Sequence, residues 1–363
     1  MTPLRILFYC HNTLGLGHVV RSLRIIKSAL GEGMRCAIVT GCRFLDDAGV
    51  PDGVDVCQLA PAVLDGAGRP VGLDGADDVL VRRGAQIVRF CGDWKPDAIV
   101  VDHHPLGLGG ELVDTLLAST AAHMFLGVPY TQGAPAAPFR NPRLRAAAAR
   151  YRDVLDYSDE GVLPLCSVRP ERVVRVGIVT RAPLPPREPG LPPRIVVLAG
   201  GGTRGADLQR LVISALHDFP EWRVRLLVGP FGDAAETLGI VNGRAAVEVI
   251  ASGKVEEAIR DATVIVSRAG YNSSYAIVQT DLPVIFVPTQ FAGDDQPSRA
   301  RRLSTLPKVW NIDERDPAAA SHIERILRGD LTRAPRPLPF DTNGAANSTR
   351  VIVARVRGAS PRN

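Results

Sequence analysis

The residues best suited to chemistry lie in a Ser-Arg-Ala-Gly turn, which follows a run of β-branched residues and precedes a helix-length segment. Arg268 and Gly270 belong to the turn, and Asn272 and Ser273 open the segment after it. Backbone N–H groups and the dipole at a helix start favour an anion, and a glycine lets that anion approach the chain. The turn therefore predicts a phosphate site. An ordinary turn with Asn and Ser as helix caps explains the same residues equally well.

A histidine follows a second glycine-containing loop near the start of the chain. The loop reads Gly-Leu-Gly-His and places Gly17 and His18 after the predicted strand Leu4–Tyr9. Apolar residues then recur at helical spacing as far as Leu30, which predicts a strand, a loop and a helix. Open α/β sheets bind ligands at the carboxyl ends of their strands, so His18 is expected to face a ligand crevice or, alternatively, to bond its own helix start. Because position 20 is Val, the dinucleotide-binding fingerprint is incomplete.

Asp102, His103 and His104 end another predicted buried strand, which begins at Asp97. They are expected at the same edge of the sheet as His18, where they would orient an acceptor or a base. Adjacent histidines usually point apart, which disfavours a metal site. The chain also has no Asp-x-Asp pair to hold a divalent cation on a diphosphate. The sequence therefore predicts metal-independent chemistry with no cofactor.

Composition restricts the class of protein. A chain of 363 residues, 45% hydrophobic and 22% charged, predicts two globular domains. No apolar run reaches the length of a membrane span, and the N-terminus does not resemble a signal peptide. Six cysteines without a CxxC pair predict reduced core thiols and a cytoplasmic protein. The net charge of +5 suits anionic small molecules or a membrane surface, whereas 5% aromatic content without an RNA-binding signature disfavours nucleic acid.

Proline marks the domain boundary. Residues 180–194 contain six prolines and predict an extended linker between a first domain at 1–179 and a second at 195–334. A C-terminal tail and helix are predicted for 335–363. The second domain restarts the strand-to-helix pattern with a glycine-rich loop at 200–206, which also suits a phosphate.

Five arginines lie between Phe139 and Arg152, around a run of alanines. The segment predicts a helix with a solvated basic face. An alternative interpretation is a patch for an anionic acceptor or for lipid headgroups, which would give peripheral contact with the inner face of a membrane.

These motifs together resemble GT-B glycosyltransferases, and most closely glycosyltransferase family 28. The resemblance rests on the Gly-Leu-Gly-His loop, the glycine-rich loop at 200–206, and the Arg-Ala-Gly-Tyr-Asn-Ser-Ser turn followed by Asp295-Gln296. It spans most of the chain and implies an α/β fold of two Rossmann-like domains that face a central crevice. It also implies a nucleotide-sugar donor on the second domain and a small-molecule or lipid-linked acceptor on the first.

The resemblance assigns roles by position. His18 matches the histidine proposed to face the reacting centre, with Asp102 and His103 as acceptor-binding or orienting residues. The matching donor-binding positions are Gly17, Gly201, Gly202, Thr203, Ile250, Arg268, Gly270, Asn272, Ser273, Asp295 and Gln296.

One position departs from the family. Six residues after the turn glycine the family has a glutamate for the ribose hydroxyls, and this chain has Ala276. A UDP-sugar such as UDP-N-acetylglucosamine remains the first choice of donor, with a dTDP-sugar as the alternative.

The stretch Gly-Leu-Gly-His-Val-Val-Arg also resembles nucleotide-sugar hydrolases of the same fold, and a non-catalytic nucleotide-sugar binder is the third possibility.

Overall fold

A computed structural model describes the chain over residues 2–11, 15–65, 69–73, 75–121, 123–129, 139–159, 171–181, 191–200, 205–229, 232–241, 246–251, 255–289 and 294–358. The chain forms two compact units, the first made of Met1–Thr180 with Phe340–Asn363 and the second of Arg181–Pro339. It passes from the first to the second at the start of the predicted linker, of which residues 182–190 lie outside the described ranges.

The first unit alternates strands and helices. Its elements up to residue 175 are β1 (Arg5–Cys10), α1 (Gly17–Gly31), β2 (Arg35–Thr40), α2 (Leu45–Ala48), β3 (Asp55–Gln58), β4 (Ala62–Leu64), β5 (Pro70–Gly72), α3 (Val79–Trp94), β6 (Ala98–Asp102), α4 (Val113–Ala118), β7 (His123–Val128), α5 (Pro142–Ala148), β8 (Asp153–Asp156) and β9 (Arg172–Arg175). Seven strands form a parallel sheet in the order β3-β2-β1-β6-β7-β8-β9. Strands β4 and β5 pair antiparallel in a separate two-stranded sheet.

The second unit repeats this plan. Its elements are β10 (Arg194–Leu198), α6 (Ala206–Ala215), β11 (Arg223–Val228), α7 (Ala234–Val241), β12 (Val247–Ala251), α8 (Val255–Ile259), β13 (Val264–Ser267), α9 (Tyr271–Ile277), β14 (Val284–Phe286), α10 (Gln296–Leu303), β15 (Val309–Asn311) and α11 (Ala319–Leu327). Six strands form a parallel sheet in the order β12-β11-β10-β13-β14-β15.

The central strands are apolar and buried because helices cover both faces of each sheet. Strand β1 is buried from Ile6 to Cys10, and all of β13 is buried. In both sheets the strand order reverses beside the first strand, between β1 and β6 and between β10 and β13. This is the Rossmann-like order, and ligands of open α/β sheets bind where the order reverses.

The chain returns to the first unit in α12 (Gly344–Val356), which packs against α1. The start of α12 and the segment before it lie against residues 176–179: Ile178 N donates to Asp341 O (2.7 Å), and Asn347 Nδ2 in α12 donates to Val176 O (2.8 Å). Glycine is required at Gly344, since a Cβ there would lie 2.3 Å from Gly177 O. The predicted C-terminal helix is therefore part of the first unit.

Several sequence expectations are confirmed. The helix predicted from His18 to Leu30 spans Gly17–Gly31, and the described cysteines at positions 10, 36, 42, 57 and 91 are buried free thiols. Cys166 lies outside the described residues. Within the described ranges, no helix is long and apolar enough to cross a membrane.

A fully buried ion pair lies in the first unit. The side chains of Arg83 and Glu111 are both 0% exposed, and Arg83 Nη2 lies 3.3 Å from Glu111 Oε1. The Tyr9 hydroxyl donates to the same oxygen (2.7 Å), and Gly109 N donates to Oε2 (2.9 Å). In the described part of the chain the guanidinium nitrogens of Arg83 have no hydrogen-bond partner, so Glu111 is the partner that compensates their charge.

We therefore expect Glu111→Gln to lower the free energy of unfolding by about 3–5 kcal/mol, because it leaves an uncompensated buried charge. The double variant Arg83→Met with Glu111→Gln removes both charges, keeps an acceptor for Tyr9, and should recover most of that loss. Urea unfolding measures both. Asp114→Asn, which breaks an exposed pair with Arg143, is the control and should change little. A double variant as unstable as Glu111→Gln would contradict the expectation.

Candidate active site

The reversal of strand order brings two loops of the first unit together. Strands β1 and β6 are neighbours, and Cys10 at the end of β1 pairs with Asp102 at the end of β6. His11 and the start of α1 follow β1, and His103 follows β6, so their side chains meet at the carboxyl edge of the sheet. The second unit has the same arrangement at the ends of β10 and β13, where Leu198 pairs with Ser267.

His18 and Asp102, which the sequence placed at the same edge, are in direct contact. His18 is the second residue of α1, and its Nδ1 lies 2.5 Å from Asp102 Oδ2. A contact this short between a ring nitrogen and a carboxylate oxygen requires a proton between them, which places the proton on Nδ1. The neutral ring then carries its lone pair on Nε2. With 20% of its side chain exposed, His18 is accessible to a small molecule.

Arg21 completes this group, although sequence reasoning did not single it out. Its Nε donates to Asp102 Oδ1 (2.8 Å) and its Nη2 to Asp102 Oδ2 (2.5 Å). Burial by itself would raise the pKa of the Asp102 carboxyl, but the Arg21 charge and the hydrogen bond from His18 lower that pKa well below its usual range. The spacing of His18 and Arg21, three residues apart on a predicted helix, was the available signal, because such residues share a helix face.

Three more histidines surround His18. The ring centroid of His11 lies 4.1 Å from that of His18 and 4.2 Å from that of His104. The centroids of His103 and His104 are 4.8 Å apart, and that of His103 is 5.7 Å from that of His18. The four rings, His11, His18, His103 and His104, thus form a closed histidine cluster.

A left-handed residue explains why the adjacent histidines lie together. His103 has φ of 67°, and His104 N donates to Asp102 O (2.9 Å), so the chain turns tightly directly after β6. The expectation that His103 and His104 point apart was therefore wrong, because it assumed an extended chain. A non-glycine residue in this conformation is strained, and such strain is concentrated at functional sites. In the described residues, no group of three or more His, Cys, Asp or Glu side chains is arranged to hold a metal ion.

Burial keeps the other members of the cluster neutral. It lowers the pKa of His11 and of His103 well below the usual value, and the nearby His18 ring acts in the same direction. The pKa of His104 falls to about 4, again through burial and then through His18. At neutral pH the surroundings of His18 therefore carry neutral imidazoles.

In the second unit, Arg268 directly follows β13, and its side chain is engaged by other residues of the same unit. Its buried guanidinium forms an ion pair with Glu314 and donates to Val287 O (3.3 Å). The space beside the turn is open at Gly270, where a Cβ would meet no atom within 4 Å. The turn thus leaves room for a ligand at Gly270, while the Arg268 side chain also has a structural partner.

Arg299, a residue that the sequence did not indicate, joins this turn to the loop before α10. Its Nη1 donates to Ala269 O (2.8 Å) and its Nη2 to Asp294 Oδ1 (2.6 Å), and its side chain is buried. Ala269 has φ of 59°, so the carbonyl that Arg299 holds belongs to a strained residue. This buried arginine therefore fixes the conformation of the turn that contains Arg268 and Gly270.

The remaining predicted donor positions have mixed surroundings. Asp295 caps α10 by accepting from Ser298 N (3.2 Å), and Gln296 Oε1 accepts from Thr289 N (3.2 Å). Asn272, Ser273 and Ile250 are half-buried, Gly17 is exposed, and Gly201, Gly202 and Thr203 lie outside the described residues. The structure thus brings His18, Asp102 and His103 together in the first unit and the described donor positions other than Gly17 into the second.

The arginines around α5 are largely used within the first unit. Arg143 pairs with Asp114, Arg145 donates to Arg140 O (2.8 Å) and Arg150 donates to Ser119 O (3.0 Å). The helix itself is short and is capped by Asn141, whose side chain accepts from Arg143 N. These contacts support the interpretation as a solvated basic face.

One family model matches a segment that covers most of the second unit and extends into α12. Residues 195–353 match the model of the glycosyltransferase family 28 C-terminal domain. No curated protein sequence matches the chain.

Solved structures show the fold of the whole chain. MurG of Acinetobacter baumannii is 16% identical with a TM-score of 0.56, over 98% of this chain and 100% of that one. The glycosyltransferase SnogD of Streptomyces nogalater is 18% identical with a TM-score of 0.56, over 97% and 99%. A putative UDP-N-acetylglucosamine 2-epimerase of Listeria monocytogenes is 11% identical with a TM-score of 0.61, over 100% and 99%. The chain therefore has the GT-B fold, as expected from the resemblance.

The histidine cluster predicts how stability depends on pH. Below about pH 6.5 the unfolded chain binds protons that His11, His103 and His104 do not bind in the folded state. Stability is therefore full above about pH 6.5 and falls as the pH drops toward about 4, where His104 becomes protonated, by up to about 1.4 kcal/mol per pH unit for each histidine.

Urea unfolding across this range measures the slope. We expect His104→Gln to flatten it, whereas His217→Gln, at an exposed site in the second unit, should leave it unchanged. An equal slope in wild type and His104→Gln would show that His104 is protonated in the folded protein as easily as in the unfolded chain.

Proposed function

We propose that this chain, which has the GT-B fold and whose residues 195–353 match the model of the glycosyltransferase family 28 C-terminal domain, is a glycosyltransferase. In this proposal it moves a sugar from a nucleotide-sugar to an acceptor hydroxyl with His18 as general base. The observation that carries this proposal is the contact between His18 Nδ1 and Asp102 at the carboxyl edge of the first sheet. That contact leaves the Nε2 lone pair of a partly exposed ring available to an acceptor hydroxyl.

The proposed reaction is a direct displacement. As the acceptor oxygen attacks the anomeric carbon, its proton passes to His18 Nε2. The bond from the anomeric carbon to the diphosphate breaks, and its electron pair leaves with the nucleoside diphosphate. Asp102, held ionised in its buried position, stabilises the imidazolium that forms. We propose that the step needs no metal, so transfer should persist in a chelator.

We propose that the second unit binds the donor diphosphate at the turn around Gly270. The family 28 match covers this turn, and the open space at Gly270 supports it. In this proposal Arg268 stabilises the leaving group while Glu314 holds its guanidinium in place. Asp295 and Gln296 are proposed to contact the sugar, and Ile250 the base. Loss of one donor to the leaving group typically costs about 100- to 1000-fold in turnover.

The nucleotide is proposed to be UDP, as in UDP-N-acetylglucosamine, with dTDP as the alternative. Ala276, at the position where the family has a ribose-binding glutamate, is 1% exposed and provides no acceptor for the ribose hydroxyls. Of the structural neighbours, VinC was solved with dTDP, at 12% identity and a TM-score of 0.57. Ala276 therefore favours weak discrimination between ribose and deoxyribose.

We propose a small-molecule or lipid-linked acceptor on the first unit. A lipid-linked acceptor would require peripheral contact with the inner face of the membrane by a cytoplasmic protein, which the net charge of +5 favours. Sedimentation with anionic and with neutral vesicles tests this membrane contact. A protein that sediments with neither kind of vesicle would contradict it.

A nucleotide-sugar hydrolase is the second candidate, because the same His18 and Asp102 can activate water instead of an acceptor hydroxyl. Release of nucleoside diphosphate that no acceptor accelerates would identify the hydrolase. Binding without turnover, over a broad panel of donors and acceptors, would identify a non-catalytic binder.

His18→Ala should lower kcat by about 100- to 10,000-fold, the range for loss of a general base. The dissociation constant of the nucleoside diphosphate should stay unchanged, because the proposed diphosphate site lies in the second unit. Initial rates and calorimetry measure the two quantities. His322→Ala, in α11 of the second unit, is the matched control. Transfer at the wild-type rate in His18→Ala would exclude His18 as the base.

The ribose preference is tested with UDP and dUDP, which differ by the 2′-hydroxyl alone. We expect dissociation constants within about tenfold of each other, whereas a site built to hydrogen-bond a hydroxyl rejects its deoxy analogue by roughly 10⁴-fold. Calorimetry on the wild-type protein gives both values. A large preference for UDP would show that a residue other than 276 binds the ribose.

A further inference from the structure

Two residues on one helix face share a single carboxylate. His18 and Arg21 lie three positions apart on α1, and both reach Asp102 at the end of β6. Oδ1 of Asp102 accepts from Arg21 Nε, and Oδ2 accepts from Arg21 Nη2 and lies 2.5 Å from His18 Nδ1. Both oxygens of the buried carboxylate are thus engaged by these two side chains.

The geometry fixes which nitrogen of His18 carries the proton. Arg21 Nη2 lies 2.9 Å from His18 Nδ1, which would be a hydrogen bond only if Nδ1 had no proton. In that case the Nδ1 lone pair would face a carboxylate oxygen at 2.5 Å, and two acceptors would repel each other. Placing the proton on Nδ1 gives Oδ2 two donors instead, and the lone pair of the ring lies on Nε2.

Arg21 supplies two things that a carboxylate alone lacks. A buried Asp tends to retain its proton, and a protonated Asp102 would no longer be an anionic acceptor for Nδ1. The guanidinium charge opposes that protonation, and the two-pronged contact fixes the rotation of the carboxylate. A lysine in the same place would bring the charge but, as a point charge, would not fix the rotation.

We propose that Arg21 is a positioning residue for the base: it holds Asp102 ionised and in one orientation, so that His18 carries its proton on Nδ1 and presents Nε2. The inference rests on the proposed function of His18. Arg21 acts through Asp102 rather than on a substrate, since its side chain is 2% exposed.

The surroundings of Asp102 make Arg21 the source of fixed positive charge. His11, which follows β1, and His103 and His104, which follow β6, are neutral at neutral pH because burial lowers the pKa of each. Cys10 at the end of β1 is a neutral thiol, since burial raises its pKa to about 12. Among the described residues named here, removing Arg21 therefore leaves Asp102 facing neutral groups and His18.

The kinetic test is Arg21→Gln. We expect kcat to fall about 10- to 100-fold, the range for residues that orient a functional group, with KM for donor and acceptor unchanged. The acid limb of the kcat profile should move to higher pH, because Asp102 regains its proton more easily. Arg24→Gln is the matched control, since it removes one arginine from the same helix that donates to Val179 O. It should alter neither kcat nor the acid limb.

Arg21→Lys separates charge from orientation. It should keep the acid limb near that of wild type while lowering kcat, and it carries the test if Arg21→Gln does not fold. Wild-type kcat in Arg21→Lys, or an unmoved acid limb in a folded Arg21→Gln, would overturn the proposal.

A readout without turnover separates this proposal from the proposed function. In the wild-type protein, carbon-13 spectra should show an ionised Asp102 carboxylate at every pH at which the protein is folded. Proton spectra should show a hydrogen-bonded proton on His18 Nδ1 over the same range. In Arg21→Gln, Asp102 should become protonated at a higher pH and the Nδ1 signal should be lost with it. If these spectra change but the wild-type protein transfers no sugar, the proposed function fails and the role of Arg21 stands. Unchanged spectra would overturn the role of Arg21 whatever the activity.

Discussion

The pairing of β1 with β6 is the constraint on which the candidate site depends. Strands β2 to β5 lie between these two strands in the sequence, yet Cys10 lies opposite Asp102 because the strand order reverses between them. A shift of one residue in this register would turn the side chain of Asp102 to the other face of the sheet. His18 would then lose its acceptor, and the buried arginine beside it would lose its counter-charge. The contacts of Asp102 with His18 and Arg21 therefore depend on the register between β1 and β6.

Electrostatics at this edge is arranged by burial more than by the number of charges. One carboxylate is kept ionised by one arginine, while three histidines around it stay neutral because desolvation lowers the pKa of each. A charged histidine in that cluster would repel both the arginine and the imidazolium that forms on His18 in the proposed transfer. The second unit uses its buried arginines differently: Arg299 and Arg268 hold carbonyls and carboxylates of the turn in place. Charge therefore orients the proposed base in the first unit and a turn in the second.

The sequence was sufficient for the fold and for the pair at the centre of the site. Hydrophobic runs predicted the parallel strands, and the positions of His18 and Asp102 at two strand ends predicted that they would meet. Arg21 and Arg299 were missed because arginines are usually exposed, and the burial of these two depends on residues that the local sequence pattern does not indicate. The turn at His103 was mispredicted because a left-handed histidine has no local sequence signal. Local sequence patterns do not indicate which distant residues will pair or where the backbone will be strained.

The return of the chain to the first unit has a consequence for the order of folding. Helix α12 packs against α1, which carries His18, and the segment before it pairs with residues 176–179. During synthesis the ribosome must complete the whole second unit before residues 344–356 emerge. Domains generally fold as units and the N-terminal one first, but here the first unit lacks a helix of its own until the second has been made. The second unit, whose chain is continuous, is thus the part able to finish folding before the helix bearing the histidine is covered.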